Sequence, residues 1–145
     1  MSNWIKFFTT ANVFVYRITK GHLGNRMGGQ SVLLLHTLGR KSGKNYATSL
    51  SYYRDGDAYL VVASNWGKEY HPDWFYNLMV HPRTNIQVEA TSILVDAHQA
   101  QGAEYKRLWE LVTRQNRQYL QYQKGLKRKI PIMILTPMTP TPDVL

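Results

Sequence analysis

From residue 31 onward, apolar residues alternate with polar ones in short segments that follow one another through tight turns. Alternation with a period of two is typical of β-strands, and most consecutive segments have no helix between them. Parallel strands need long crossover connections, so this succession favours an antiparallel sheet or small barrel over a doubly wound parallel sheet. The six predicted strands are 31–37, 45–54, 58–64, 85–89, 93–99 and 131–136.

Other segments carry the spacing of an α-helix. The predicted helices are an amphipathic N-terminal helix over 4–18, a short central helix over 72–80 and a C-terminal helix over 102–121. Pro72 suits the first turn of the central helix. We therefore expect one mainly β (α+β) domain over 1–145, with the N-terminal helix inside 1–20 and a loose tail over 137–145.

Composition limits the possible functions. The 145 residues include no cysteine, which excludes a disulfide scaffold, thiol catalysis, an iron–sulfur cluster and a thiolate zinc site. Eighteen Lys and Arg residues stand against nine Asp and Glu, so the net charge is +9. Such a surface attracts polyanions: nucleic acid, anionic lipid, or a phosphorylated or carboxylated small molecule.

The sequence also bears on location. The longest apolar run, at 31–35, is too short to cross a bilayer, and the first 20 residues lack the apolar block of a signal peptide. We expect a cytoplasmic protein. A second interpretation places residues 4–18 on the inner face of an anionic membrane as a peripheral contact.

The most informative motif is the basic loop at 39–44, with the sequence GRKSGK. Its two glycines permit a sharp turn, and its three cations and one hydroxyl can hold phosphate or carboxylate through charge-assisted hydrogen bonds. It is not a Walker A loop, because only three residues separate the glycines and Asn45 follows the lysine. The alternative interpretation is a solvated hairpin turn.

Three further motifs are candidates for a binding site. Residues 63–67, ASNWG, end a predicted strand with small and polar side chains suited to the edge of a heterocycle, although an ordinary turn explains them too. Residues 71–78, HPDWFYNL, place Asn77 near an otherwise apolar helix face, and a buried amide normally has a partner. Tyr119 and Tyr122 share a helix face and can line a pocket or supply a proton; core packing is the alternative.

Several signatures are missing from the sequence. The five histidines show no metal-binding spacing, so we predict no metal site. The carboxylates form no acid/base pair, and neither a nucleophile elbow nor a dinucleotide fingerprint is present. If the protein is an enzyme, a cofactor supplies the reactivity and the chain supplies binding and orientation.

Taken in order, these motifs resemble the deazaflavin-dependent nitroreductase family, from about Leu23 to Pro137. The resemblance implies a six-stranded antiparallel split β-barrel of the flavin-reductase type. It implies the coenzyme F420, an 8-hydroxy-5-deazaflavin with a phosphate and an oligoglutamate tail. The expected activity is hydride transfer from the reduced coenzyme to an electrophilic small molecule: a nitro-aromatic, an activated enone or a quinone.

The resemblance also implies site residues. The cofactor-binding residues are expected in the basic loop, the strand end and the central helix: Arg40, Lys41, Ser42, Lys44, Tyr46, Val62, Ala63, Ser64, Asn65, Asp73, Trp74, Phe75, Tyr76 and Asn77. A proton is expected from Tyr119, Tyr122, Ser64 or water. The chain departs from the family at Tyr46, where relatives often carry a basic residue, at Ser49, where they often carry proline, and at Trp66, where a glycine pair is common.

Other functions stay open at this point. The first alternative is an NADPH reductase of the same fold that uses FMN. The second is a nucleic-acid-binding module that uses the basic stretch 114–129, although no stacking motif supports it and we expect no nucleic acid partner. The oligomeric state is open between a monomer and a homodimer.

Overall fold

The predicted strands assemble into a curled antiparallel sheet of half-barrel form, as the fold prediction requires. A computed structural model describes residues 26–27 and 30–138 of the chain. The strands are β1 (Arg26–Met27), β2 (Gln30–Leu38), β3 (Asn45–Ser51), β4 (Tyr53–Asp55), β5 (Ala58–Val62), β6 (Arg83–Val88), β7 (Thr91–Gln99) and β8 (Ile132–Pro137). The helices are α1 (Asp73–Val80), α2 (Gly102–Gln115) and α3 (Gln118–Lys124). The predicted helix over 4–18 and residues 139–145 of the predicted tail lie outside the described residues.

Hydrogen bonding orders the sheet β1-β2-β6-β7-β8-β5-β4, and β3 pairs with β2. The predicted strand over 45–54 is divided at Tyr52, because its first part pairs with β2 and its second part with β5. At the division, the Tyr52 N–H donates to the Ser31 carbonyl at 3.0 Å. One strand therefore changes partners at a corner, which helps the sheet to curl.

Side chains on the two faces of the sheet build two separate cores. On β5, Tyr59 and Val61 point to one face, while Leu60 and Val62 point to the other. The core on the first face includes Trp74, Phe75 and Leu78 of α1, and we call it the α1 core. The core on the other face is covered by α2 and α3, and we call it the α2–α3 core. A strand buried on both faces needs an unbroken apolar sequence, which is why β5 reads AYLVV.

The prediction of a short helix at 72–80 is confirmed by α1, which begins after Pro72. Its buried residues, Trp74, Phe75, Asn77 and Leu78, form one face against the sheet. The helix ends at Val80, because the residue before Pro82 is sterically excluded from the helical region. The amide of Asn77 is thus buried on the packed face, where it needs a partner.

The prediction of one helix over 102–121 is wrong, because the helix is interrupted at Asn116 and a second helix begins at Gln118. Asn116 has an extended backbone, and its side-chain oxygen accepts from the Gln118 N–H at 3.1 Å. That bond satisfies one of the free N–H groups at the start of α3, so the asparagine restarts the helix in a new direction. The break decides which way the two tyrosines of α3 point.

Among the described residues, no helix has both the length and the apolar character needed to cross a membrane.

Candidate functional site

The basic loop is a tight turn that its own hydrogen bonds close. The Gly39 N–H donates to the Lys44 carbonyl at 2.8 Å, and the Gly43 N–H donates to the Gly39 carbonyl at 2.9 Å. Gly43 has a φ of 69°, in the left-handed region that glycine adopts without strain. A Cβ at Gly39 would lie 2.6 Å from the Ser42 hydroxyl oxygen and 2.8 Å from the Tyr46 ring, so a larger residue would displace these side chains. The loop therefore has one defined shape between β2 and β3.

Arg40 ties this loop to α1. Its backbone N–H and its Nη1 both donate to the Asn77 Oδ1, at 3.1 and 2.8 Å. Its Nη2 lies 3.3 Å from the exposed carboxylate of Asp73, and its guanidinium carbon lies 5.0 Å from the Tyr76 ring centroid. The partner expected for the buried Asn77 amide is thus Arg40. Arg40 therefore contacts two other predicted cofactor residues, Asp73 and Asn77, and these contacts join the basic loop to α1.

The remaining polar residues of the loop point to solvent. Lys41, Ser42, Lys44 and Tyr46 are exposed. The Ser42 hydroxyl lies 3.3 Å from the Tyr46 hydroxyl, which holds the tyrosine against the turn. Neither Lys41 nor Lys44 forms an ion pair with any residue of the described chain. Two free ammonium groups on a rigid turn can therefore take an anionic ligand.

The second predicted segment forms a strained turn at the end of β5. Val62 and Ala63 are buried, so these two residues can offer a ligand only their backbone. Asn65, Trp66 and Gly67 follow in a turn with left-handed φ values of 48°, 59° and 79°. We call residues 64–68 the strand-end turn.

Arg128 holds the strand-end turn in place. Its guanidinium donates to the carbonyls of Ala63 at 3.1 Å, Ser64 at 2.7 Å and Lys68 at 2.8 Å. Partial burial lowers the pKa of Arg128, yet an arginine stays charged. Sequence reasoning placed Arg128 only in a basic stretch and missed this role, because its partners lie about 60 residues away in the chain.

His71 links the strand-end turn to α1. An Arg128 N–H lies 3.0 Å from the His71 Nδ1, and the imidazole contacts the rings of Phe75 at 4.7 Å and Tyr76 at 5.6 Å between centroids. Burial and the nearby Arg128 charge lower the pKa of His71, which keeps the ring neutral at pH 7. The histidine acts as a neutral spacer in this assembly.

The side chains of α1 divide between the core and the site. Trp74 and Phe75 are buried in the α1 core, so their predicted cofactor role is limited to backbone atoms and ring edges. Asp73 and Tyr76 are exposed at the start of the helix. Contacts then run without interruption from Arg40 through Tyr76, His71 and Arg128 to Ser64. The structure thus brings the basic loop, α1 and the strand end together.

The two tyrosines of α3 have different surroundings. Tyr119 is buried in the α2–α3 core, where its hydroxyl lies 2.9 Å from the Tyr53 hydroxyl. Burial raises the pKa of Tyr119 well above its usual value. This geometry gives Tyr119 a packing role and does not support the predicted catalytic one. Tyr122 instead lies against the strand-end turn, since a Cβ at Gly67 would be only 2.7 Å from its ring.

Lys68 adds a further cation at the strand-end turn that sequence reasoning did not select. Its ammonium is enclosed by protein atoms and makes no hydrogen bond within the described part of the chain. It lies 5.9 Å from the Tyr70 ring centroid. The positive charges of Lys68 and Arg128 both lie within this part of the site.

Solved structures share this fold, and a curated relative shares much of this sequence. A solved F420-H2 dependent reductase is 30% identical, with a TM-score of 0.66, over 72% of this chain and 92% of its own. A second structure, described as a domain-swapped dimer, is 26% identical, with a TM-score of 0.70, over 92% of this chain and 97% of its own. An F420H(2)-dependent quinone reductase of Mycobacterium tuberculosis is 42% identical over 126 residues, which cover 84% of this chain and 85% of the relative.

The fold and these relatives therefore define a reductase of the deazaflavin-dependent class. The chain belongs to the F420H(2)-dependent quinone reductase family, whose model matches residues 9–137. Membership confirms the predicted family, the oxidoreductase class and coenzyme F420 as the family's cofactor. The FMN and nucleic-acid alternatives gain no support from these comparisons.

A first prediction distinguishes the contributions of Arg40 and Lys41 to the stability of the protein. Replacing Arg40 with Ala leaves the buried Asn77 oxygen without its side-chain donor, and we expect the free energy of unfolding to fall by about 1–3 kcal/mol. Replacing the exposed Lys41 with Ala should change it by less than about 0.5 kcal/mol. Urea denaturation of both variants measures the difference, and equal stabilities would contradict the anchoring role of Arg40.

Proposed function

We propose that this chain transfers a hydride from reduced F420 to a quinone-type acceptor bound between the basic loop, α1 and the strand-end turn. The observation that carries the proposal is that Lys41 and Lys44, on a rigid loop joined to α1, form no ion pair with the described residues, in a chain of this family. A coenzyme with a phosphate and several carboxylates needs cations that are not already neutralised, and Lys41 and Lys44 meet that need. When bound, reduced F420 supplies the hydride.

We assign the residues of the chain separate tasks. Lys41, Ser42 and Lys44 bind the anionic part of the coenzyme, and Tyr46 borders them through its contact with Ser42. Arg40 positions the loop through Asn77 and is only partly available to a ligand. Barrier lowering would come mostly from holding the two reactants in contact and in the right orientation.

We assign the strand end and α1 to the ring of the coenzyme. The backbone from Val62 to Asn65, held by Arg128, borders the ring of the coenzyme. Asp73 and Tyr76 lie at the exposed start of α1, beside the basic loop. A planar ring at this position would have the strand end on one side and α1 on the other, and both are fixed by contacts between protein groups.

Reduction of a quinone to a hydroquinone by a hydride also consumes one proton at oxygen. We assign its delivery to the Tyr122 hydroxyl, because Tyr122 lies against the strand-end turn while the Tyr119 hydroxyl is buried and paired with Tyr53. Water then restores the proton on Tyr122. The side chain of Ser64 is the second candidate, at the same end of β5.

A second prediction tests the anion contact. Replacing both Lys41 and Lys44 with Ala should weaken F420 binding at least about tenfold, because two charge-assisted contacts are lost. Titration of the coenzyme fluorescence with protein gives the affinity. The control is the Lys106→Ala, Lys124→Ala double variant, which removes the same charge from exposed sites on α2 and α3 and should bind normally. Equal affinities of the two double variants would refute the assignment.

A third prediction distinguishes the tyrosines. Tyr122→Phe should lower kcat for quinone reduction at least about tenfold while coenzyme affinity stays unchanged, since general-acid catalysis contributes that much or more. Tyr119→Phe should keep kcat and instead lose about 1 kcal/mol of stability with the Tyr53 hydrogen bond. Stopped-flow reoxidation of F420 and thermal unfolding measure the two effects. A normal kcat in Tyr122→Phe would move the proton donor to Ser64 or water.

We infer that the chain also forms a homodimer, by similarity to the structure described as a domain-swapped dimer, which covers 92% of this chain. The fourth prediction is that light scattering during size-exclusion chromatography gives twice the monomer mass. A monomer mass over a hundredfold range of concentration would contradict this inference.

A further inference from the structure

The strand-end turn contains an unusual backbone conformation at a bulky residue. Asn65, Trp66 and Gly67 all have positive φ values, and Trp66 lies at φ 59° and ψ 24°. For an L-residue with a large side chain, this conformation costs free energy because the Cβ approaches the following carbonyl. Glycine would adopt it without that cost.

Local hydrogen bonds, together with Arg128, hold Trp66 in this strained state. The Asn65 side chain donates to the Tyr70 carbonyl at 2.8 Å, the Gly67 N–H donates to the Ser64 carbonyl at 3.0 Å, and the Lys68 N–H donates to the Asn65 carbonyl at 3.1 Å. Arg128 binds the same Ser64 carbonyl. The turn is therefore built to keep this geometry on both sides of Trp66.

Packing of the Trp66 indole does not compensate for the free-energy cost of this backbone conformation. Trp66 is 57% exposed, the highest value among the exposed large apolar residues of the described chain. Its ring forms no hydrogen bond and no aromatic pair there, whereas the rings of Trp74 and Trp109 are buried or stacked. A single exposed aromatic residue is ordinary on a protein surface, but one held in a costly conformation calls for another function.

The position of Trp66 indicates what that function is. It follows Ser64 and Asn65 at the strand end and precedes Gly67, against which the Tyr122 ring packs. The Lys68 ammonium, which has no hydrogen-bond partner in the described residues, lies two positions further along. The exposed indole thus belongs to the same turn that the ring of the proposed proton donor packs against, and an exposed flat ring suits a planar acceptor.

We propose that Trp66 determines acceptor specificity by stacking on the ring of a planar quinone, and that the strand-end turn stores strain in order to present its indole. The proposal rests on the proposed function and names the acceptor class as fused-ring quinones. Stacking adds attraction in proportion to the flat area covered, so an acyclic enone gains little from it.

The fifth prediction uses Trp66→Gly, with Trp66→Phe as the variant that keeps an aromatic face. Isothermal titration of 1,4-naphthoquinone into the complex with oxidised F420 measures acceptor binding without turnover. We expect binding about five- to tenfold weaker in Trp66→Gly and within about threefold of wild type in Trp66→Phe. Thermal unfolding of Trp66→Gly should occur at the same temperature as wild type or a few degrees higher, because the backbone strain is released.

The control is Glu89→Gly, which replaces the other strained non-glycine residue outside the strand-end turn, at φ 55° in the β6–β7 hairpin. It should leave naphthoquinone binding unchanged. Unchanged binding in Trp66→Gly would overturn the specificity role even if quinones are reduced normally. Lower binding in Trp66→Gly together with no F420 reoxidation in wild type would uphold the stacking role and overturn the proposed function instead. Loss of F420 affinity in Trp66→Gly would overturn the assignment to the acceptor.

Discussion

The site depends on one partly buried guanidinium, that of Arg128. Arg128 donates to three backbone carbonyls at the end of β5 and contacts His71, which itself packs on α1. Carbonyl groups beyond a strand end have no sheet partner and need another donor in a partly buried place. The Ser64 carbonyl also accepts from the Gly67 N–H, whereas the Ala63 and Lys68 carbonyls receive their hydrogen bonds from Arg128. The Arg128 guanidinium is planar and has several N–H donors, so one side chain donates to all three carbonyls. The shape of the strand end and the placement of α1 therefore follow from the same contact.

The charged residues divide into those that build the site and those that are free to bind. Arg40 and Arg128 form hydrogen bonds within the protein, and each joins elements far apart in the chain. The side chains of Lys41 and Lys44 form no ion pair among the described residues and are exposed to solvent. Arginine suits the first task because its fork of donors is rigid, and lysine suits the second because its charge is mobile and compact. The two types of cation are not interchangeable here.

Much of the fold could be predicted because its signals are local. The six long strands, α1 and the turn at residues 39–44 follow from the spacing of apolar residues and from glycine and proline. The break at Asn116 was missed, since a single polar residue inside a helical pattern is compatible with either one helix or two. The three-residue spacing of Tyr119 and Tyr122 makes both equal candidates for proton delivery, although one hydroxyl is buried against Tyr53 and the other residue faces Gly67.

The sequence by itself determined the mainly β class, the basic loop and the candidate segments at 62–65 and 73–77, because each of these depends on neighbouring residues. Only the tertiary structure decided which members of those segments are free and which serve as supports. The pairing of Arg40 with Asn77, and of Arg128 with Ser64, joins residues 37 and 64 positions apart. No local pattern encodes such contacts, because the order in which the strands pair sets the distance between their partners.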